Sequence, residues 1–97
     1  MKTLPEIMKI IRDHEDTLRR RYKVKRIGLF GSYVRGETHP GSDVDVIVEF
    51  DEVISLLQLV SLENYLSELL GQKVDVVPKD DIRSELKDRI LRETVYA

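Results

Sequence analysis

The sequence predicts one small domain of the α/β or α+β class, in which a short three-stranded core of mixed sheet is flanked by helices. Apolar residues recur at helical spacing in three segments, and short β-branched runs separate those segments. The length of 97 residues is enough for a single hydrophobic core. We therefore treat residues 1–97 as one domain.

Composition excludes several classes of protein. Hydrophobic residues make up 41% of the chain and charged residues 35%, which is too apolar for a disordered chain and too charged for a membrane span. The net charge is −2, whereas a nucleic-acid binder usually has an excess of basic residues, so no direct nucleic-acid partner is expected. The absence of cysteine excludes disulfides and thiolate metal sites. Without a secretory signal, the expected location is cytoplasmic.

The first element is predicted to be one helix from Thr3 to about Tyr22. Thr3 and Glu6 form a capping-box pattern at its start, and the run of arginines 19–21 complements the negative end of the helix dipole. An RNA or an acidic partner for these arginines stays open. The apolar stripe of this helix recurs at three- and four-residue steps and consists of Ile7, Ile10, Ile11, His14 and Leu18.

Three strands and two further helices follow. The strands are predicted at residues 25–30, 43–50 and 73–77, where β-branched residues cluster. The second helix is capped by Ser55 and ended by Gly71, and its buried face comprises Leu56, Leu59, Leu62 and Leu66. The last helix is capped by Asp80 or Asp81, and its buried face comprises Ile82, Leu86, Ile90 and Leu91.

Carboxylates interrupt two of the predicted strands. A period of two places Asp43, Asp45 and Ile47 on one face of the second strand, opposite its valines. Two adjacent carboxylates repel unless a cation or an exposed edge relieves them. Asp75 repeats the pattern on the third strand and would lie beside the first two if the strands are neighbours. Taken singly, each of these residues also fits a plain solubilising charge.

Hard oxygen ligands of this kind suit Mg²⁺, or alternatively Mn²⁺. Three converging carboxylates would be enough for two metal ions, the arrangement that clamps attacking and leaving oxygens in phosphoryl-type displacement. The sequence thus predicts a metal site formed by Asp43, Asp45 and Asp75.

A phosphate-binding turn is predicted at the end of the first strand. Gly31 and Ser32 follow the apolar strand and open a short helical turn. Glycine lets the backbone approach a phosphate, and the following amides and the Ser32 hydroxyl can donate hydrogen bonds to it. Neither the P-loop pattern G-x-x-x-x-G-K-[ST] nor the dinucleotide pattern G-x-G-x-x-G is present, so this is a phosphate site of another kind.

Together these residues form a familiar pattern. Gly31-Ser32, ten residues and Asp43-Val44-Asp45 resemble the GS-x10-D-x-D signature of the DNA polymerase β-like nucleotidyltransferase superfamily. The stretch GSYVRGETHPGSDVDVIVEF is similar to the minimal nucleotidyltransferase branch, whose small proteins are encoded beside HEPN-domain partners. The aspartate in KVDVV, Asp75, matches the family's third carboxylate, and the resemblance covers nearly the whole chain.

The resemblance implies a role for each motif residue. Gly31 and Ser32 would bind the β- and γ-phosphates of a nucleoside triphosphate, and Arg35 could reach triphosphate oxygens or instead pair with Glu37. The two aspartates of the D-x-D motif would hold the metals, and the third would complete the second metal site and help deprotonate the acceptor hydroxyl; these are Asp43, Asp45 and Asp75.

The implied function is that of an antitoxin enzyme. It would transfer AMP from ATP to a hydroxyl, typically that of a tyrosine, of a HEPN-domain toxin, with two Mg²⁺ ions as cofactors. A homo- or hetero-oligomer would be compatible with this function. Two alternatives stay open: adenylylation of a small molecule such as an aminoglycoside, and neutralisation of a partner by binding without chemistry. The sequence does not distinguish these acceptors.

Overall fold

The structure, a computed structural model, describes residues 2–97. Its helices and strands alternate along the chain, with a short 3-10 turn at Lys79–Asp81. The elements in chain order are α1 (Leu4–Asp13), α2 (Glu15–Tyr22), β1 (Val24–Phe30), α3 (Ser32–Arg35), β2 (Val44–Phe50), α4 (Leu56–Leu70), β3 (Val74–Pro78), α5 (Ser84–Glu93) and β4 (Val95–Tyr96).

The strands form one mixed sheet in the order β3-β2-β1-β4. β1 runs antiparallel to both β2 and β4, whereas β2 and β3 are parallel. The predicted fold class and its three-stranded core are therefore confirmed. The fourth strand was not predicted, because two residues are too few to show any periodicity.

One face of the sheet carries the main hydrophobic core. Val44, Val46 and Val48 are all buried there, as the alternation in the sequence predicts. Helices α1, α2 and α4 contribute apolar side chains to the same cluster: Ile7, Met8, Ile11, Leu18, Leu62, Leu66 and Leu70. The opposite face, to which Asp45 and Ile47 belong, is left for the site and for the C-terminal segment.

Both predicted capping boxes are present. The Glu6 backbone N–H donates to the Thr3 hydroxyl at 3.3 Å, and the Thr3 N–H donates to the Glu6 carboxylate at 2.9 Å. The Gln58 N–H donates to the Ser55 hydroxyl at 3.1 Å in the same way. Gly71 ends α4 in the left-handed conformation, with φ 65°. The boundaries of α4 thus follow the local signals in the sequence.

The prediction of a single long first helix is wrong, because the helix is interrupted at His14. The His14 N–H donates to the carbonyls of Arg12 and Ile11 instead of Ile10, and the residue adopts φ −109° and ψ 15°. Its ring is half-buried and forms a 2.8 Å hydrogen bond with the Ile10 carbonyl. Because Ile11 and Leu18 are both buried on either side of the break, the apolar periodicity in the sequence gives no sign of it.

The last helix also differs from its prediction. Asp80 and Asp81 lie in the 3-10 turn, and α5 begins after Arg83 without a side-chain cap. None of the α5 residues is fully buried, and Leu86 is 41% exposed. The prediction of a buried face is therefore wrong for Leu86. The other residues predicted on that face are only half-buried: Ile82, Ile90 and Leu91. α5 contacts β1 but remains partly exposed along its length.

Helix α4 buries a narrower face than predicted. Leu62, Leu66 and Leu70 are fully buried, whereas Leu56 is 75% exposed. Leu59 is half-buried and packs against the core cluster, so the prediction of a buried residue fails for Leu56. Over residues 2–97, no helix combines the length and apolar character needed to cross a membrane.

Candidate active site

The turn after β1 brings the backbone against an aspartate of the next strand. Gly31 has φ 79° and ψ −150°, a conformation that favours glycine, and a Cβ atom there would collide with Asp45 Oδ2. The N–H groups of Val34 and Arg35 each donate to the Gly31 carbonyl at 3.1 Å, which starts α3. Half-buried Ser32 is the first residue of this helix. The structure thus places the predicted phosphate turn directly beside a predicted metal ligand.

Asp45 and Asp75 meet across two parallel strands. They are register partners in the β2–β3 pairing, and Asp45 also lies opposite Phe30 of β1, the residue before the glycine turn. Partial burial raises the pKa of Asp45 above its ordinary value, and the charges of Asp75 and Asp43 raise it further. The two strands are therefore neighbours, which is the condition the sequence analysis set for their carboxylates to converge.

Asp43 completes the carboxylate cluster just before β2 begins. Its Oδ2 lies 3.8 Å from Lys73 Nζ. Burial raises the pKa of Asp75, and the charge of Asp43 is the next largest cause of the same shift. Like charges held this close store repulsion that a bound cation would relieve.

The donor set of the cluster fits Mg²⁺ or Mn²⁺, which prefer carboxylate oxygens. In the conformation described for residues 2–97, no three carboxylate or histidine side chains are yet arranged around a common point that could hold a metal. Asp43, Asp45 and Asp75 are therefore neighbours that are not arranged as a metal site in this conformation, and their role as metal ligands stays a prediction.

Arg35 and Glu93 form a pair that the sequence analysis did not anticipate. Arg35 Nε donates to Glu37 at 3.2 Å, which confirms the pairing considered for that arginine, and its Nη1 also donates to Glu93 at 3.1 Å. Glu93 Oε1 accepts a second hydrogen bond from the Gly31 N–H at 3.0 Å. The two carboxylates raise the pKa of Arg35. No motif marks Glu93, which is 62 residues from Gly31 along the chain.

This chain is similar in sequence to known nucleotidyltransferases. The sequence matches the family described as nucleotidyltransferase domain over residues 11–97. Protein adenylyltransferase MntA of Thermococcus cleftensis is 50% identical over 96 residues, which cover 99% of this chain and 97% of the relative.

Two solved structures are similar over most of this chain. One described as a minimal nucleotidyltransferase has a TM-score of 0.77 and 34% identity, and the match covers 93% of this chain and 92% of that one. A crystal structure of a toxin–antitoxin with AMP-PNP has a TM-score of 0.70 and 26% identity, with 95% of this chain and 69% of that one covered.

Proposed function

The chain belongs to the nucleotidyltransferase domain family, and we propose that it transfers AMP from ATP to a hydroxyl group of a HEPN-domain toxin, most simply a tyrosine. The observation that carries the chemistry is the contact between the Gly31 turn and Asp45, which joins a phosphate-binding backbone to a carboxylate cluster. A protein acceptor is supported by the relative named protein adenylyltransferase and by the similar toxin–antitoxin structure with AMP-PNP.

The triphosphate would be held by backbone and side-chain donors of the turn. The Gly31 N–H and the Ser32 hydroxyl would donate to the β- and γ-phosphates, and the planar guanidinium of Arg35 would add a charged, two-pronged donor. Because Gly31 has no side chain, the phosphates could approach the backbone without meeting a Cβ atom next to Asp45. Positioning of this kind supplies much of the catalysis in phosphoryl transfer.

Asp43, Asp45 and Asp75 would hold Mg²⁺, with two ions as in other two-metal sites and Mn²⁺ as an alternative. When bound, the metal would neutralise triphosphate charge and bring the phosphates to the carboxylates. Asp45 and Asp75 lie on two adjacent strands and Asp43 directly precedes one of them, so the pairing of β2 and β3 would hold the three oxygen ligands near one another.

In the proposed reaction the acceptor oxygen attacks the α-phosphorus in line with the bond to the β-phosphate oxygen. A new P–O bond forms to the acceptor, the α–β phosphoanhydride bond breaks, and pyrophosphate leaves with the electron pair. The proton of the acceptor hydroxyl would pass to Asp75, the register partner of Asp45 on the neighbouring strand.

Labelled ATP tests this proposal. The protein is incubated with Mg²⁺, a candidate HEPN-domain partner, and ATP labelled at either the α- or the γ-phosphate. We expect the α label alone to appear on the partner, and Asp43→Asn to abolish it. Asp51→Asn is the matched control, because Asp51 is an exposed aspartate just beyond the other end of β2. Transfer of the γ label instead would identify a kinase and overturn the proposal.

A further inference from the structure

We propose that Glu93 occupies the phosphate site of the free enzyme, so that a nucleotide must displace it in order to bind. This inference rests on the proposed function, because it concerns the donors that we assign to the triphosphate.

The contacts of Glu93 are those expected of a bound anion. Its Oε1 accepts from the Gly31 N–H at 3.0 Å and from Arg35 Nη1 at 3.1 Å, and its Oε2 lies 3.3 Å from the same Nη1. Charge-assisted hydrogen bonds of this type are stronger than neutral ones. The Glu93 carboxylate thus uses both a backbone donor and a guanidinium donor that a phosphate would need.

Glu93 and a triphosphate cannot share these donors. Gly31 has one backbone N–H, and in the free protein this group donates its hydrogen bond to Glu93 Oε1. Gly31 lies between the two carboxylates, because its N–H donates to Glu93 and a Cβ atom on it would collide with Asp45 Oδ2. A triphosphate brought beside Glu93, Asp45 and the other aspartates would meet a concentrated negative charge. Departure of Glu93 removes one of these charges and frees both donors.

The C-terminal segment packs closely against Gly28, and this packing holds Glu93 beside Gly31 and Arg35. Directly after Glu93, the chain forms β4, and Tyr96 pairs with Gly28. A Cβ atom on Gly28 would lie 2.6 Å from Thr94 Cγ2 and 3.1 Å from the Val95 carbonyl oxygen. Only a residue without a side chain lets the C-terminal segment lie this close to β1, and this docking sets the position of Glu93.

The segment that carries Glu93 is weakly anchored. α5 contains no fully buried residue, and β4 is two residues long. Elements with little buried apolar surface open at low free-energy cost. A side-chain rotation of Glu93, or a shift of α5, is therefore an accessible way to uncover the Gly31 N–H.

Direct binding measurements test the occlusion. Calorimetry is carried out with Mg²⁺ and AMP-PNP on the wild type, on Glu93→Gln, and on Glu85→Gln as a matched control for charge at the exposed start of α5. We expect Glu93→Gln to bind AMP-PNP about tenfold more tightly, because the wild type must first break charged hydrogen bonds. Glu85→Gln is expected to bind like the wild type.

Two further probes locate the effect. Inorganic tripolyphosphate is expected to show the same gain on Glu93→Gln, whereas adenosine is expected to show none, because Glu93 competes only for phosphate donors. Gly28→Ala, which pushes the C-terminal segment away without touching the site, is expected to tighten AMP-PNP binding as well. Thermal unfolding of each variant shows that the fold is retained.

The outcomes separate this inference from the function on which it rests. If the wild type binds AMP-PNP and Glu93→Gln binds it equally or more weakly, the occlusion is wrong and Glu93 instead holds Arg35 in place. An equal gain for adenosine also contradicts the occlusion. If neither the wild type nor Glu93→Gln binds AMP-PNP, the proposed function fails together with the inference.

Discussion

Asp45 lies directly opposite Asp75 on the parallel strands β2 and β3, and the Gly31 turn packs against the same Asp45 carboxylate. One side chain therefore connects the proposed phosphate turn to the neighbouring aspartates. Each prediction below depends on this arrangement or on the helices that support it.

A side chain at Gly31 is expected to damage both stability and activity. Gly31→Ala would place a methyl group against the Asp45 carboxylate in a strained conformation, so we expect a loss of about 1–3 kcal/mol of unfolding free energy and no detectable transfer. Gly41→Ala is the matched control, since Gly41 also has a positive φ but a Cβ there would meet nothing within 4 Å. Urea unfolding and the labelled-ATP assay measure the two effects. Retention of full activity in Gly31→Ala would contradict the assigned phosphate turn.

The raised pKa of Asp45 predicts a pH-dependent stability. A carboxyl whose pKa is higher in the folded than in the unfolded protein favours folding when protonated, and this contribution is lost as the pH rises through the folded pKa. In metal-free buffer at neutral pH, Asp45→Asn is therefore expected to unfold at a higher temperature than the wild type. The difference is expected to disappear below about pH 4, where the unfolded carboxyl is protonated as well. A destabilised Asp45→Asn at neutral pH would show that the charge is not repelled in the folded state.

Magnesium is expected to stabilise the wild type. A ligand that binds only the folded state stabilises it by RT ln(1 + [L]/Kd), so the melting temperature rises with ligand concentration. We expect Mg²⁺ to raise the melting temperature of the wild type and to have little effect on Asp43→Asn or Asp75→Asn. Asp51→Asn again serves as the control and is expected to respond like the wild type. An equal response in all four proteins would mean that the ion binds elsewhere.

The two sides of α4 predict opposite results for equal truncations. Leu66 is fully buried, so Leu66→Ala is expected to cost about 2–5 kcal/mol of unfolding free energy. Leu57 is 81% exposed, and Leu57→Ala is expected to change stability by less than about 0.5 kcal/mol. Denaturant unfolding compares the two variants. Similar losses would contradict the orientation of this helix.

Much of the fold could be predicted from the sequence, because its signals are local. The capping boxes at Thr3 and Ser55 and the glycine stop at Gly71 depend on a few neighbouring residues, and the structure contains all three. The break at His14 escaped prediction because the apolar stripe continues through it. β4 escaped because it exists through close packing on Gly28, which is a tertiary feature.

The same distinction applies to the site. Strand alternation and the family motif predicted Asp45, Asp75 and the Gly31 turn as site residues, and the match to the nucleotidyltransferase family confirms the resemblance. Glu93 could not be predicted in this way. Its contact with Gly31 and Arg35 joins segments about 60 residues apart and appears only when α5 docks on the sheet.

The intact mass of the proposed HEPN-domain partner is the decisive test of AMP transfer. The partner is incubated with this protein, ATP and Mg²⁺, with Asp43→Asn as the inactive comparison, and both chains are weighed. We predict that the partner gains whole AMP units with the wild type and none with Asp43→Asn. An unmodified partner that is nevertheless bound and silenced by both proteins would contradict the account and identify neutralisation by binding alone.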